Sequence, residues 1–127
     1  MNCVLIMIGG ALGALCRYGI GQLLSGVRLF SMPLGTLAVN LAGCFLLGLL
    51  TAAIERHVML PWFTEQQLKG LTLLLTVGFC GAFTTFSTFS SETVKAVEAG
   101  LLWQSLVYVL ASVGIGFVLF WCGRHLL

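Results

Sequence analysis

A few polar side chains set inside long apolar runs carry whatever chemistry this chain performs. Arg17 stands late in the first run, beside Tyr18. An arginine centred in hydrocarbon costs about 2.5 to 3.5 kcal/mol on insertion scales and by default marks a function. Two readings stand for it: an interfacial anchor, or the cation of a watery vestibule that concentrates anions. Thr36 and Asn40, within Gly35-Thr36-Leu37-Ala38-Val39-Asn40-Leu41-Ala42-Gly43, are four apart and share a helical face. The Asn40 amide either glues helices, for about 0.6 kcal/mol on average, or donates to a passing anion. Phe83, Phe86 and Phe89 recur every three residues, with Thr84, Ser87 and Ser91 on an adjoining stripe. Such a stripe is ordinarily core. Its other chemistry lies in the ring edges, which are positive where the faces are negative. Edges along a narrow path stabilise a small dehydrated anion without trapping it, and hydroxyls donate between them. Tyr108 and Ser112, again four apart, offer a second polar track, and Glu92 and Lys95 are spaced to pair along a helix.

Catalysis finds no support. The sequence holds no nucleophile–base pair, phosphate loop or metal-ligand spacing, and His57 and His125 are isolated near the ends of apolar runs. The five cysteines form no C-x-x-C pair. They lie in apolar runs, where a thiol behaves as a small hydrophobe. The 127 residues are 59% hydrophobic and 8% charged, against roughly a quarter charged in a soluble domain. That excludes a soluble enzyme and a disordered chain. A net charge of +2 is too sparse for a nucleic-acid footprint. An integral membrane protein remains.

The elements that must position these residues follow from the apolar runs. A span needs about 20 residues, so the chain holds one membrane domain, 1–127, with spans near 4–24, 34–54, 68–99 and 101–123. The first run lacks a basic leader and reads as a helix that stays. Pro33 is placed to start the second span, and Glu55, Arg56 and His57 stop it at water. A polar connector follows from Pro61 to Gln67, with Trp62 and Phe63 in an interfacial belt; Trp103 and Trp121 bracket the fourth span in the same way. The third run is longer than a span needs, and its centre, Gly78 to Ser91, is rich in glycine, β-branched and hydroxyl residues. Either it breaks there, presenting backbone carbonyls to an ion, or it continues as a helix whose small residues allow close packing.

Charge is nearly balanced between the two sides. Four crossings put Arg56, Lys69 and Arg124 on one side and Arg28 and Lys95 on the other. Lys/Arg bias in short loops sets orientation. So slight a bias either suffices for one orientation or lets the chain insert both ways and pair with an inverted copy. Four helices leave little room for an internal path, which also favours an oligomer.

Three strings, Gly9-Gly10-Ala11-Leu12-Gly13-Ala14-Leu15-Cys16-Arg17-Tyr18, the Gly35–Gly43 segment above, and Gly78-Phe79-Cys80-Gly81-Ala82-Phe83-Thr84-Thr85-Phe86-Ser87-Thr88-Phe89-Ser90, resemble the Fluc (CrcB) family of fluoride channels. The resemblance runs over the whole chain, in order and in spacing. It implies an all-α integral membrane protein of four transmembrane helices, the third broken near its centre, assembled as an antiparallel dual-topology homodimer in the inner (plasma) membrane. It also implies passive fluoride export through two pores, which relieves fluoride toxicity. By this likeness Phe86 and Phe89 supply pore-lining ring edges, Asn40 the pore amide, and Thr36, Ser87 and Thr88 further polar pore positions. Arg17 matches the basic residue of the first helix, Glu92 the acidic residue after the motif, and Tyr108 and Ser112 the polar track of the fourth helix. That track departs at Gly116 and Phe120, where some members carry hydroxyls. A structural Na+ would be held by the backbone carbonyls of Gly81 and Thr84, with no organic cofactor. The implied partners are a second copy, fluoride and the lipid bilayer, with no nucleic acid. The alternative is a dual-topology small-molecule or cation exporter of the small multidrug transporter type. Such exporters use a buried Glu in the first helix, where this chain has Arg17 and no acid. A third class, a non-transporting assembly subunit, would leave Arg17 and Asn40 with packing alone.

Overall fold

In hydrocarbon a chain must pair its backbone groups internally, and the four apolar runs do so as helices. The structure, a computed structural model, describes residues 2–56 and 63–127. His57, Pro61 and Trp62, read above as the end of a span and the start of a connector, lie outside the described residues. Helix α1 spans Asn2–Leu23. A small antiparallel hairpin follows, β1 (Arg28–Leu29) against β2 (Met32–Pro33), with Arg28 opposite Pro33 and Leu29 opposite Met32. Its turn residues Phe30 and Ser31 take φ of 51° and 68°, a left-handed conformation that such turns ordinarily give to Gly or Asn. Helix α2 (Leu34–Glu55) starts directly after Pro33.

The third stretch is composite. Thr64 and Gln67 form a reciprocal capping box that opens α3 (Glu65–Thr72). The coil then widens into a π-helical segment, Leu73–Cys80, and closes with a single turn, α4 (Gly81–Phe83). Thr84 and Thr85 leave helical dihedrals, with ψ of 159° and 116°, before α5 (Phe86–Glu98) resumes. Gly100 turns the chain at φ 80° into α6 (Leu102–Leu126). Asn2–Leu23, Leu34–Glu55, Glu65–Glu98 and Leu102–Leu126 are each long and apolar enough to cross a membrane, and the chain is a multi-pass membrane protein.

The helices associate mainly as two pairs, each running in one direction: α2 with α6, and α1 with the π-helical segment and α4. Lipid is as apolar as leucine, so small residues that let backbones approach take over the role of a hydrophobic drive. A Cβ on Gly48 would strike the Phe120 carbonyl, and one on Gly123 the Phe45 carbonyl. On the other pair, Gly9 and Gly13 lie against the carbonyls of Leu74 and Phe79, and a Cβ on Gly78 would come within 2.9 Å of the Ile6 carbonyl. The buried cluster at the hairpin end, Met32, Leu37, Ala96 and Tyr108, fixes the hairpin to α2, α5 and α6. At the opposite end Arg124 pairs with Glu55 at 2.7 Å and ties the C-terminal ends of α6 and α2 together.

Candidate functional site

The site is built around the point where the third stretch leaves the helix. The Thr85 N–H donates to Asn40 Oδ1 on α2 at 2.7 Å, and Asn40 Nδ2 donates back to the Thr85 carbonyl at 3.0 Å. A carboxamide carries donor and acceptor side by side, as a peptide group does, so Asn40 acts as a surrogate strand for one residue. One Nδ2 hydrogen remains free for another acceptor. Thr85 is the functional residue that sequence reasoning passed over. Its Oγ1 accepts from the Thr88 N–H at 3.3 Å, capping α5, and donates to Thr88 Oγ1 at 3.0 Å, with Ser87 Oγ 3.4 Å away. A hydroxyl residue just before a helix is an N-cap signal, and it was legible in Thr85-Phe86.

The same bonds strip two carbonyls of their helical partners. The Thr85 N–H goes to Asn40 rather than to the Gly81 carbonyl four residues back, and the Thr88 N–H goes to Thr85 Oγ1 rather than to the Thr84 carbonyl. Gly81 and Thr84 line a cavity of about 320 Å³ together with Asn40, Cys44, Cys80 and Phe86. The Thr84 hydroxyl is turned back onto the Cys80 carbonyl at 3.0 Å. Neutral carbonyl oxygens are the donors a hard cation takes, so the donor set fits such an ion. No cluster of three His, Cys, Asp or Glu residues that would hold a metal occurs among the described residues.

Beyond the clamp runs an aromatic ladder. The Phe86 and Phe89 rings lie 5.8 Å apart and tilted by 40°, and Phe89 lies 5.4 Å from Tyr108. Phe86 is 79% exposed in the single chain. Phe83 is not part of this ladder. It is buried and stacks on Phe79 at 5.5 Å, because the two extended threonines re-aim α5 and the period of three does not cross them. At the far end the Tyr108 hydroxyl donates to Glu92 Oε2 at 2.9 Å, and Thr36 Oγ1 donates to Oε1 at 2.7 Å. The spacing of Glu92 and Lys95 predicts an ion pair, and none forms. Glu92 points between α2 and α6, while Lys95 is exposed. Two part-buried bonds to a carboxylate outweigh an exposed helical pair worth a few tenths of a kcal/mol.

A second cavity, of about 290 Å³, brings Arg17 and Tyr18 to Thr36, Thr85 and Thr88. Asn40, Gly81, Thr84 and Phe86 thus meet at one cavity, and Arg17, Thr36 and Thr88 at its neighbour, with Thr85 in the wall between. Ser87 adjoins that wall through Thr85, and Phe89 bridges Phe86 to Tyr108. Ser112 stands apart, its buried Oγ without a partner among the described residues. Gly116 serves packing, since a Cβ there would meet Cys44 Sγ at 3.4 Å.

Known proteins extend these observations. The sequence profile described as "CrcB-like protein, Camphor Resistance (CrcB)" matches residues 4–124. A protein of Solibacter usitatus named fluoride-specific ion channel FluC is 40% identical over 99% of this chain and 98% of its own length. Like-named proteins of Acidobacterium capsulatum and Geobacter sp. strain M21 are 36% and 43% identical, over 97% and 94% of this chain and 93% and 91% of theirs. Matched by that profile from residue 4 to residue 124 and by relatives from end to end, the chain belongs to the CrcB family.

Proposed function

We propose that this chain forms a fluoride channel, a passive pore that lets the anion leave the cell and so relieves its toxicity. The observation that carries the reading is the ladder Phe86–Phe89–Tyr108, continuous over ring distances of 5.8 and 5.4 Å and flanked by the hydroxyls of Ser87, Thr88 and Thr36. Rings and hydroxyls hold an anion weakly. The full positive charge of Arg17 stands at the neighbouring cavity, where it gathers anions. Fluoride collects there and sheds water onto Thr88, Ser87 and the free Asn40 N–H. It then passes along the ring edges toward Tyr108 and Ser112. Several weak sites in series let it leave again, as conduction requires. Neutral hydrogen fluoride crosses lipid, dissociates inside, and the trapped anion exits through the pore. The relatives' printed name is that of a fluoride-specific ion channel, which supports the choice of ion.

The pore is completed by a second copy inserted the other way up. Three features favour this: the exposed Phe86 ring, the open carbonyls of Gly81 and Thr84 in their cavity, and the near balance of Lys and Arg between the two sides. Sodium is the cation that the Gly81 and Thr84 carbonyls of the two copies would hold, and when bound it supplies a fixed positive charge that ties two helix breaks together. Purified protein in liposomes, read with a fluoride-selective electrode, should release fluoride far faster than protein-free liposomes. Release at the protein-free rate would overturn the assignment.

A further inference from the structure

The Arg17 cavity adjoins another at Thr36. It shares Gly21, Gly35 and Thr36 with a smaller cavity of about 180 Å³. That one shares Arg28, Pro33 and Glu92 with a third of about 250 Å³, which reaches Lys95 and Ala99 at the end of α5. The three therefore form a row with shared walls, from Arg17 past the β1–β2 hairpin to Lys95. The charges along it are Arg17, Glu92, Arg28 and Lys95. Glu92 forms no ion pair with any of these among the described residues, and both its oxygens are taken by the Thr36 and Tyr108 hydroxyls. The route carries a net positive charge.

Arg28 is held over this route rather than left on a free loop. Its Nη1 donates to the Ser31 carbonyl at 3.3 Å across the hairpin turn. Arg28 pairs with Pro33, and the adjacent Met32 is 2% exposed in the core against Leu37, Ala96 and Tyr108. The turn that brings this about holds Phe30 and Ser31 at positive φ, a conformation that persists only where its surroundings over-determine it.

We infer that Arg28 and Lys95 form a cationic side mouth, through which small anions reach the Thr36 end of the path beneath the hairpin. The inference rests on the channel reading above and adds to it two residues that act on the rate of anion encounter from outside the pore lining. A rim charge acts on the rate of encounter and on its salt dependence. The Debye length falls from about 30 Å at 0.01 M salt to about 3 Å at 1 M, so the contribution of these two cations should fade over that range.

The test is fluoride efflux from liposomes holding the full-length protein, the Arg28→Gln and Lys95→Gln variants and Arg28→Lys. Each preparation is first matched to the unmutated protein in assembled size. At about 10 mM salt the two Gln variants should conduct several-fold more slowly, by about threefold or more, and approach the unmutated rate near 1 M. Arg28→Lys should restore most of the low-salt rate. Equal rates at every ionic strength would overturn the side mouth, and so would a loss that persists unchanged at 1 M. A loss that follows the anionic-lipid content of the liposomes instead of the salt would also overturn it, in favour of a lipid headgroup at Arg28 and Lys95. Failure of the unmutated protein to release fluoride would overturn the channel reading itself and is read separately.

Discussion

Asn40 and Thr85 show how much can rest on two hydrogen bonds. Replacing Asn40 by Ala leaves the Thr85 N–H without its partner and the Thr85 carbonyl with its helical bond alone, and an orphaned buried group costs about 1–3 kcal/mol. Asn40→Ala should therefore lower the melting temperature of the detergent-solubilised protein and abolish fluoride efflux together. An unchanged melting curve would show that the clamp does not hold the break. The ladder behaves differently, because ring pairing adds only about 0.5–1.5 kcal/mol beyond burial. Phe86→Ile and Phe89→Ile should leave assembly and melting close to the unmutated protein while reducing efflux about tenfold or more, equivalent to about 1.4 kcal/mol. Undiminished efflux in both would remove the rings from the path. At this scale the sequence shows the right residue types and hides their partners. Asn40 is legible as an amide that needs a reason, but its partner lies 45 residues away and is a backbone group that no side-chain pattern announces. Glu92 misleads for the same reason, since a pattern within one helix sees Lys95 and cannot see Thr36 or Tyr108 on two others.

The helices themselves are the most legible part, because apolar length and the need to pair every backbone group leave few alternatives. Pro33 marks where α2 begins, whereas α3 begins at Glu65, inside the segment read as a connector to Gln67, because Thr64 and Gln67 form a capping box there. Two features escape such reading. The π-helical winding of Leu73–Cys80 has no signature in a run of Leu, Thr and Val that would suit an α-helix equally well. The hairpin turn carries Phe30 and Ser31 at positive φ, where turn chemistry leads one to look for Gly or Asn. Within the stretch rich in glycine, β-branched and hydroxyl residues, Gly78 and Gly81 stay helical and Thr84 and Thr85 make the departure. Gly78 is small for contact with α1 instead. Its counterparts on the other helix pair give the prediction at this scale. Gly48→Ala and Gly123→Ala each drive a methyl into a carbonyl across the α2–α6 contact, an overpacking that costs about 1–3 kcal/mol. Both should lower the melting temperature, whereas Gly114→Ala, which meets nothing within 4 Å in the chain, should not. Equal melting of all three would mean that the glycine contacts do not set the helix spacing.

For the whole molecule the questions are orientation and the cation. With Arg56, Lys69 and Arg124 facing Arg28 and Lys95 across the membrane, a protease-cleavable tag after Leu127 should be reached from both faces of sealed vesicles. Cleavage from a single face only would exclude dual insertion. Exchange of sodium for a large organic cation during purification should lower the melting temperature, since an ion that binds only the folded assembly stabilises it by mass action. Identical melting in both cations would remove sodium from the assembly. The pairing of helices bears on how orientation is chosen. Each of the first two spans packs chiefly on the span synthesised two later, α1 on the third stretch and α2 on α6. When α1 and α2 first meet lipid, their main partners do not yet exist, and packing has no vote. If the chain inserts both ways as proposed, the choice then leans on the few loop charges, and one added or lost cation near Arg28 or Arg56 should redistribute newly made chains between the two orientations.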